Sequence, residues 1–398
     1  MNRNRGPLTG VKVLDLSMIF PGPLAAMYLG DLGASVIKIE NPRLGDLGRQ
    51  MGNPLPTSET NGKPDSAIFY MCNRNKKSVT VNIKRKEGQE IIHKFLESTD
   101  ILVESYSPGT LDKIGLDYGS LKKKYPGLVF CHVSMFGASG PYSQKTGHDG
   151  NCLAYTGLLN QNRSIDGTPQ IPGFQMADIG GGAYIALISI LAALFYKERN
   201  KTGQFLDVGL LDGAMSFQSL PLGLLQGGEK QSEGKTVLSG LLPNYHVYKC
   251  KDEKFIIFAP LERPFLKNFL ETINKPEWLE TILNNRDKGK ELLSELFATK
   301  PREDWHDLFE QKLSCISPVN TLEEAMLDPH LRDRNMIISM QDDAVGEVTM
   351  IGSPFHFSKT PCTYRDFPPQ KGEQTNQILR ETGYSEEQLR EWKQKNII

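Results

Sequence analysis

The chain has 398 residues, 39% of them hydrophobic and 23% charged, which is length for two domains with separate cores and an ordinary globular composition. Its 46 basic and 47 acidic side chains leave a formal net charge of −1. That balance carries no electrostatic footprint for nucleic acid or a membrane surface, so neither is expected as a partner, although a local basic patch can still hold a phosphorylated ligand.

The N-terminal residues run straight into a strand-like segment, Val11 to Leu16, with no apolar core or small-residue cleavage site of a signal peptide. Pro23 to Leu32 reads as a helix, with proline at its start and Gly33 just past its end. Ser35 to Glu40 is the next strand and Lys77 to Ile83 another, and Glu87 to Glu97 places Ile91, Ile92, Phe95 and Leu96 at helical spacing. Ile101 to Val103 and Leu128 to Val133 continue the strand series. Strands alternating with helices of this length predict an α/β fold with right-handed crossovers and a mainly parallel, Rossmann-like sheet. The first strand runs into Ser17-Met-Ile-Phe-Pro-Gly22 and not into GxGxxG, and no GxxxxGK[ST] occurs, so the usual phosphate grips are absent.

The apolar stretch Ala183 to Tyr196 is shorter than the ~20 residues of a membrane span and reads as a buried helix. Residues 221–240, rich in glycine and charge, read as a linker. Beyond them Tyr245 to Pro260 predicts a hairpin turning at Lys251 to Lys254, and helical segments follow to about Leu331, making a smaller α+β domain. Strand-like pieces including Glu347 to Ile351 and a polar helix from Ser385 end the chain.

Six scattered cysteines without a CxxC pair predict free thiols in a reducing, cytoplasmic compartment. The seven histidines lack metal-ligand spacing and HExxH, so no metal is expected. His148, in Gly147-His-Asp-Gly-Asn151, sits in a turn-rich stretch after a predicted strand, where an imidazole titrating near neutrality suits proton transfer. Asp178 precedes Ile179-Gly-Gly-Gly182 and the long helix. Taken alone it is an N-cap; the same geometry lets a ligand approach the glycines and offers helix N–H groups to a developing oxyanion. Glu262, in a turn between the hairpin and a helix, is a solvated acid unless another domain closes over it. The cations of Asn73-Arg-Asn-Lys-Lys77 and Lys84-Arg-Lys86, with Lys113, read either as a solvated rim or as a diphosphate cradle.

In this order these segments resemble the class III coenzyme A-transferase superfamily, which also contains the α-methylacyl-CoA racemases. The resemblance runs through Leu8 to Leu16, Pro21-Gly-Pro23, Leu32 to Glu40, Asn73 to Ser78, Pro108-Gly109, Leu111 to Leu116, Gly147-His-Asp149, Ala177 to Gly182, Gly203-Gln204, Asp207-Val208 and Leu327 to Leu331. It implies a Rossmann-like large domain built from both chain ends (1–220 and 332–398), a small inserted domain (241–331), and an interlocked homodimer whose active sites join the large domain of one chain to the small domain of the other. It implies coenzyme A contacts at Phe20, Pro21, Asn41, Val81, Asn82, Ile83, Lys84, Ser105, Tyr106, Ser107, Lys113 and Asp149, and no cofactor beyond coenzyme A as part of the substrate.

Both chemistries of the family place an essential aspartate at Asp178. In the transferases it is a nucleophile that forms an acyl anhydride. In the racemases it shares proton transfer with a histidine, here His148, where the transferases more often carry an aromatic such as Tyr. The racemase pattern also resembles Leu261-Glu-Arg-Pro-Phe265. The racemase is therefore expected, with His148 and Asp178 on opposite faces of the α-carbon and Glu262 orienting His148. The alternatives are a coenzyme A-transferase and a non-catalytic acyl-CoA binder. Three positions depart from the racemase pattern: Ser107 and Asn41 stand where Arg is common, and Cys152 where Tyr is usual. Lys76, Lys77, Lys84 and Lys113 are expected to compensate for the missing arginines.

Overall fold

The computed structural model describes residues 6–55, 65–164, 166–228, 236–343 and 345–398. The chain divides into two compact units, one from Met1–Thr156, Gly173–Phe217 and His330–Ile398, the other from Gly157–Pro172 and Gln218–Pro329.

The first unit is built on a six-stranded sheet: β1 Lys12–Leu16, β2 Ser35–Glu40, β3 Lys76–Thr80, β4 Ile101–Glu104, β5 Val129–Ser134 and β6 Phe205–Gly209. The order is β3-β2-β1-β4-β5-β6, and every neighbouring pair is parallel. The inner strands are buried on both faces, which is why they read as continuous apolar runs and not as alternating ones. The chain steps outward from β1 to β3, then returns to the other side of β1 at β4. That reversal opens a crevice at the carboxyl ends of β1 and β4.

The helix Pro21–Asp31 is buried along nearly its whole length, and Gly33, at φ 103°, makes the left-handed stop that its position in the sequence suggested. The helix Lys86–Leu96 is amphipathic and sends Ile91, Ile92, Phe95 and Leu96 into the core. That core also takes Ile378 and Leu379, Leu389 and Trp392, and the terminal Ile397 and Ile398. The last stretch of chain therefore packs into the core of the first unit.

In this unit the ends of two elements differ from expectation. β3 stops at Thr80, three residues early, because the Asn82 N–H turns away to the Ile397 carbonyl at 2.7 Å. The long helix starts earlier than Ala183: a π-helical turn, Ala177–Tyr184, runs without interruption into Ile185–Asn200. The resulting 24 residues are long and apolar enough to cross a membrane by length and composition, and the helix is not the buried one expected, since Ile188, Phe195 and Tyr196 are exposed. The three glycines do not break the helix because they let it pack tightly on its neighbour Leu210–Ser216. A Cβ on Gly181 would lie 2.8 Å from the Leu210 carbonyl oxygen, and one on Gly180 would lie 2.6 Å from the Phe217 ring.

The second unit carries an antiparallel sheet of β7 His246–Lys249, β8 Phe255–Phe258 and β9 Ile316–Pro318. The predicted hairpin is β7–β8, closed by the Cys250 N–H to the Lys254 carbonyl at 2.8 Å. Helices cover it around a core that includes Tyr248, Phe258, Phe269, Phe297, Trp305 and Phe309. Much of the expected linker 221–240 is helical, in Ser219–Gln226 and a π-helical turn Val237–Leu241, and residues 229–235 lie outside the described residues.

Candidate active site

Most residues expected to meet coenzyme A collect at the carboxyl edge of the sheet. Phe20 and Pro21 follow β1, Asn41 follows β2, Asn82, Ile83 and Lys84 follow β3, and Ser105, Tyr106 and Ser107 follow β4. The turns after β1 and β4 are tied together, because the Ser105 hydroxyl accepts the Met18 N–H at 2.9 Å. Ile19 sits at φ 72°, a costly conformation for a β-branched residue, and is held there by its N–H to Asp46 Oδ1 at 2.8 Å. Asn41 is exposed and closes its own turn, its side chain accepting the N–H groups of Arg43 and Leu44. Lys84 and Lys113 are exposed. Val81 is 2% exposed and its side chain packs in the core.

His148, Asp149 and Asp178 lie in the first unit, and Glu262 lies in the second. His148 precedes the helix Asp149–Tyr155, and the Asn151 side chain accepts its N–H at 2.9 Å. Asp178 is not the N-cap expected of it. It lies inside the π-helical turn, and the capping is done by Asp149, whose Oδ1 accepts the N–H groups of Ala177 at 2.6 Å and Asp178 at 3.0 Å. The Ile179 N–H goes to the Gln175 carbonyl at 3.1 Å. The first N–H groups of this helix are therefore occupied and are not the oxyanion donors the sequence suggested. The glycines likewise face a helix and not a ligand. Asp149, expected among the coenzyme A contacts, is nearly buried in this capping position.

This leaves the Asp178 carboxylate out of the cap. Burial, reinforced by the negative charge of Asp149 and partly offset by His148, pushes its pKa up to about 6. Cys152, in the helix Asp149–Tyr155, is fully buried, and burial together with Asp178 raises its thiol to about 12, which makes it a neutral residue and not a nucleophile.

Of the cations of residues 73–77, Arg74 and Lys76 belong to neither a solvated rim nor a phosphate cradle, whereas Lys77 is exposed. Arg74 is 1% exposed, with Nη2 2.7 Å from Asp31 Oδ2. The Lys76 ammonium is spent on Asp15 Oδ2 at 2.9 Å, the Pro23 carbonyl at 2.8 Å and Asn73 Oδ1 at 2.8 Å. Lys76 therefore does not compensate for Ser107 or Asn41. Burial pushes it down to about 8 against the pull of Asp15.

A second acid–base pair, Glu104 and His132, was not among the residues singled out from the sequence. Glu104, at the end of β4, bonds His132 Nδ1 at 2.5 Å from Oε1 and accepts the Tyr106 N–H at 2.8 Å through Oε2. Burial opposes a charge on His132, but Glu104 outweighs it and the pKa rises. The pair lines a cavity of about 300 Å³ with Ser107, Phe130 and Phe205. A Glu and a His on different strands carry no sequence signal until the strand register sets them opposite one another.

Comparison with known proteins adds family evidence. The model of "CoA-transferase family III" matches residues 8–375. The human "Succinyl-CoA:glutarate CoA-transferase" is 32% identical over 95% of this chain and 86% of its own length. The mouse "Alpha-methylacyl-CoA racemase" is 30% identical over 96% and 95%. The crystal structure of a CAIB/BAIF family protein from Brucella suis superimposes with a TM-score of 0.81 at 29% identity, covering 95% of this chain and 100% of that one.

Proposed function

The chain belongs to CoA-transferase family III, and from that membership we propose that it is an acyl-CoA racemase, inverting the α-carbon of a 2-methylacyl-CoA by two-base proton transfer. The observation that carries this reading is the state of Asp178: a largely buried carboxyl, left out of the helix cap, raised to about 6, within electrostatic reach of His148. An acid–base group works best when its pKa lies near the working pH, whereas a carboxylate nucleophile gains nothing from being partly protonated.

In this reaction the α C–H bond breaks, its electron pair moves to the thioester oxygen as an enolate, and a proton returns to the opposite face. His148 and Asp178 serve the two faces, and coenzyme A lies along the carboxyl edge of β1 to β4. A second copy of the chain supplies Glu262 to orient His148. The exposed Ile188, Phe195 and Tyr196 of the long helix support such an association. The enolate oxygen needs donors other than the occupied N–H groups of residues 177–179.

A coenzyme A-transferase is the second reading, favoured by the 32% identity to a relative of that name. There Asp178 attacks the thioester carbonyl, expels the coenzyme A thiolate and holds the acyl group as an anhydride. Pure (2R)-2-methylacyl-CoA in deuterated water without an acceptor acid separates the two. A racemase forms both epimers and places deuterium at the α-carbon. Hydroxylamine inactivation with no α-deuteration over many turnovers would overturn the racemase in favour of the transferase.

A further inference from the structure

We infer that Asp149 is the positioning residue of Asp178, its carboxylate clamping the turn that carries Asp178 while setting an unneutralised negative charge against it. This deepens the proposed function, since it rests on Asp178 being the reacting carboxyl. Three observations carry it. Asp149 Oδ1 receives both the Ala177 and the Asp178 N–H, so one oxygen fixes the backbone at and just before the reacting residue. Asp149 is 9% exposed, so its charge is poorly screened by water. No lysine or arginine forms an ion pair with either acid among the described residues.

The titratable groups that meet here are His148, Asp149 and Cys152 from the helix Asp149–Tyr155 and its cap. Asp212 comes from the helix Leu210–Ser216, and the packed helix Pro21–Asp31 brings Tyr28 only against Tyr184, at the other end of the turn. Of these, His148 alone can bring a positive charge, and the acids outnumber it. The device has two separable halves. The hydrogen bonds need only an acceptor oxygen, which Asn supplies as well as Asp. The electrostatic half needs the charge.

The test is the carboxyl carbon-13 titration of Asp178 in the intact chain, assigned by its disappearance in Asp178→Asn. In Asp149→Asn the acceptor is kept and the charge removed, and the Asp178 midpoint should fall by half a pH unit or more. Asp149→Ala should fall likewise and also lower the melting temperature, because the clamp is lost. An unchanged midpoint in Asp149→Asn overturns the inference. Should that variant not fold, the unmodified protein decides: coupled acids each show a second inflection at the other's midpoint, and a single inflection in both curves overturns it equally. The titration needs no substrate. A protein that passes it but exchanges no α-proton and transfers no acyl group refutes the proposed function and leaves the role of Asp149 intact.

Discussion

Two of the groups of withdrawn carboxylates in the first unit are treated in opposite ways. Beneath β1 to β3, Asp15, Glu40 and Asp46 lie among Lys38, Lys76 and Arg49. Lys38 Nζ is 2.6 Å from Asp46, and Arg49 grips Glu40 with Nη2 at 2.6 Å and Nε at 2.7 Å. Burial alone would raise all three acids; the cations beside them hold each below the usual carboxylate range. At the 149 helix and the 177 turn, Asp149 and Asp178 are withdrawn from water with no such partner, and Asp178 rises. Burial is common to both, so burial does not mark the group proposed to react. What distinguishes it is a charge the fold leaves uncompensated.

The largest expected effect comes from breaking the compensated cluster. Lys38→Met leaves Asp15 and Asp46 short of a cation in a site 0–1% exposed, and removing one partner of such a group costs ~3–5 kcal/mol. Because both acids are depressed, their contribution is present above the ordinary carboxylate pKa of 3.8 and is lost as pH falls through their lower folded values. Urea unfolding at pH 7 should show the full loss, and the gap from the unmodified protein should narrow at acidic pH. A loss under ~1 kcal/mol at pH 7 breaks the comparison, since these acids would then be no better compensated than Asp178.

The second effect has the opposite sign. Asp178 is raised from 3.8 to about 6, so the folded chain holds that proton more tightly than the unfolded one. The stability linked to it is complete below pH ~4 and is lost as pH rises through ~6. Asp178→Asn removes the buried charge and should stabilise the protein by up to ~3 kcal/mol above pH ~6.5, with no gain below pH ~4. The same variant should lose 100-fold or more in turnover, the ~10²–10⁴ expected for a missing acid–base group. Melting curves at pH 4 and pH 7.5 check the first half. A variant destabilised at pH 7.5 would mean that Asp178 is a structural acid like Asp15.

Sequence periodicity made much of this legible. β1, β2, the helix Pro21–Asp31 and the β7–β8 hairpin depend on local signals: apolar runs, Pro23 near a helix start, a left-handed Gly33, a charged turn. The candidates His148 and Asp178 were legible through motif order. Their environment was not, because it depends on which oxygen reaches which N–H. A capping aspartate was foreseen at the right turn, but the cap comes from Asp149, 28 residues before Ala177. The three glycines suggested a ligand at close range, and the close neighbour is another helix. The cations of 73–77 suggested phosphate, but Lys76 and Arg74 pair with Asp15 and Asp31, 61 and 43 residues away in sequence. In each case the residue type was informative and its partner was set by tertiary packing.

The smallest effect concerns which cations remain to meet coenzyme A. With Arg74 and Lys76 committed to buried acids, the exposed Lys113 and Lys84 are the candidates at the carboxyl edge. Lys113→Ala should weaken binding of free coenzyme A by ~2- to 5-fold, or ~0.5–1 kcal/mol, the scale of a solvent-exposed charge pair. The deficit should grow at low ionic strength and fade near 1 M salt, where the screening length shrinks to ~3 Å. Lys76→Met should instead lower stability and leave the salt dependence of binding unchanged, because its ammonium is fully occupied inside the fold. Calorimetry of both variants at two salt concentrations reads the difference. If Lys76→Met flattens the salt dependence and Lys113→Ala does not, the buried cluster has a binding role after all, and the division between compensated and uncompensated charge must be redrawn there.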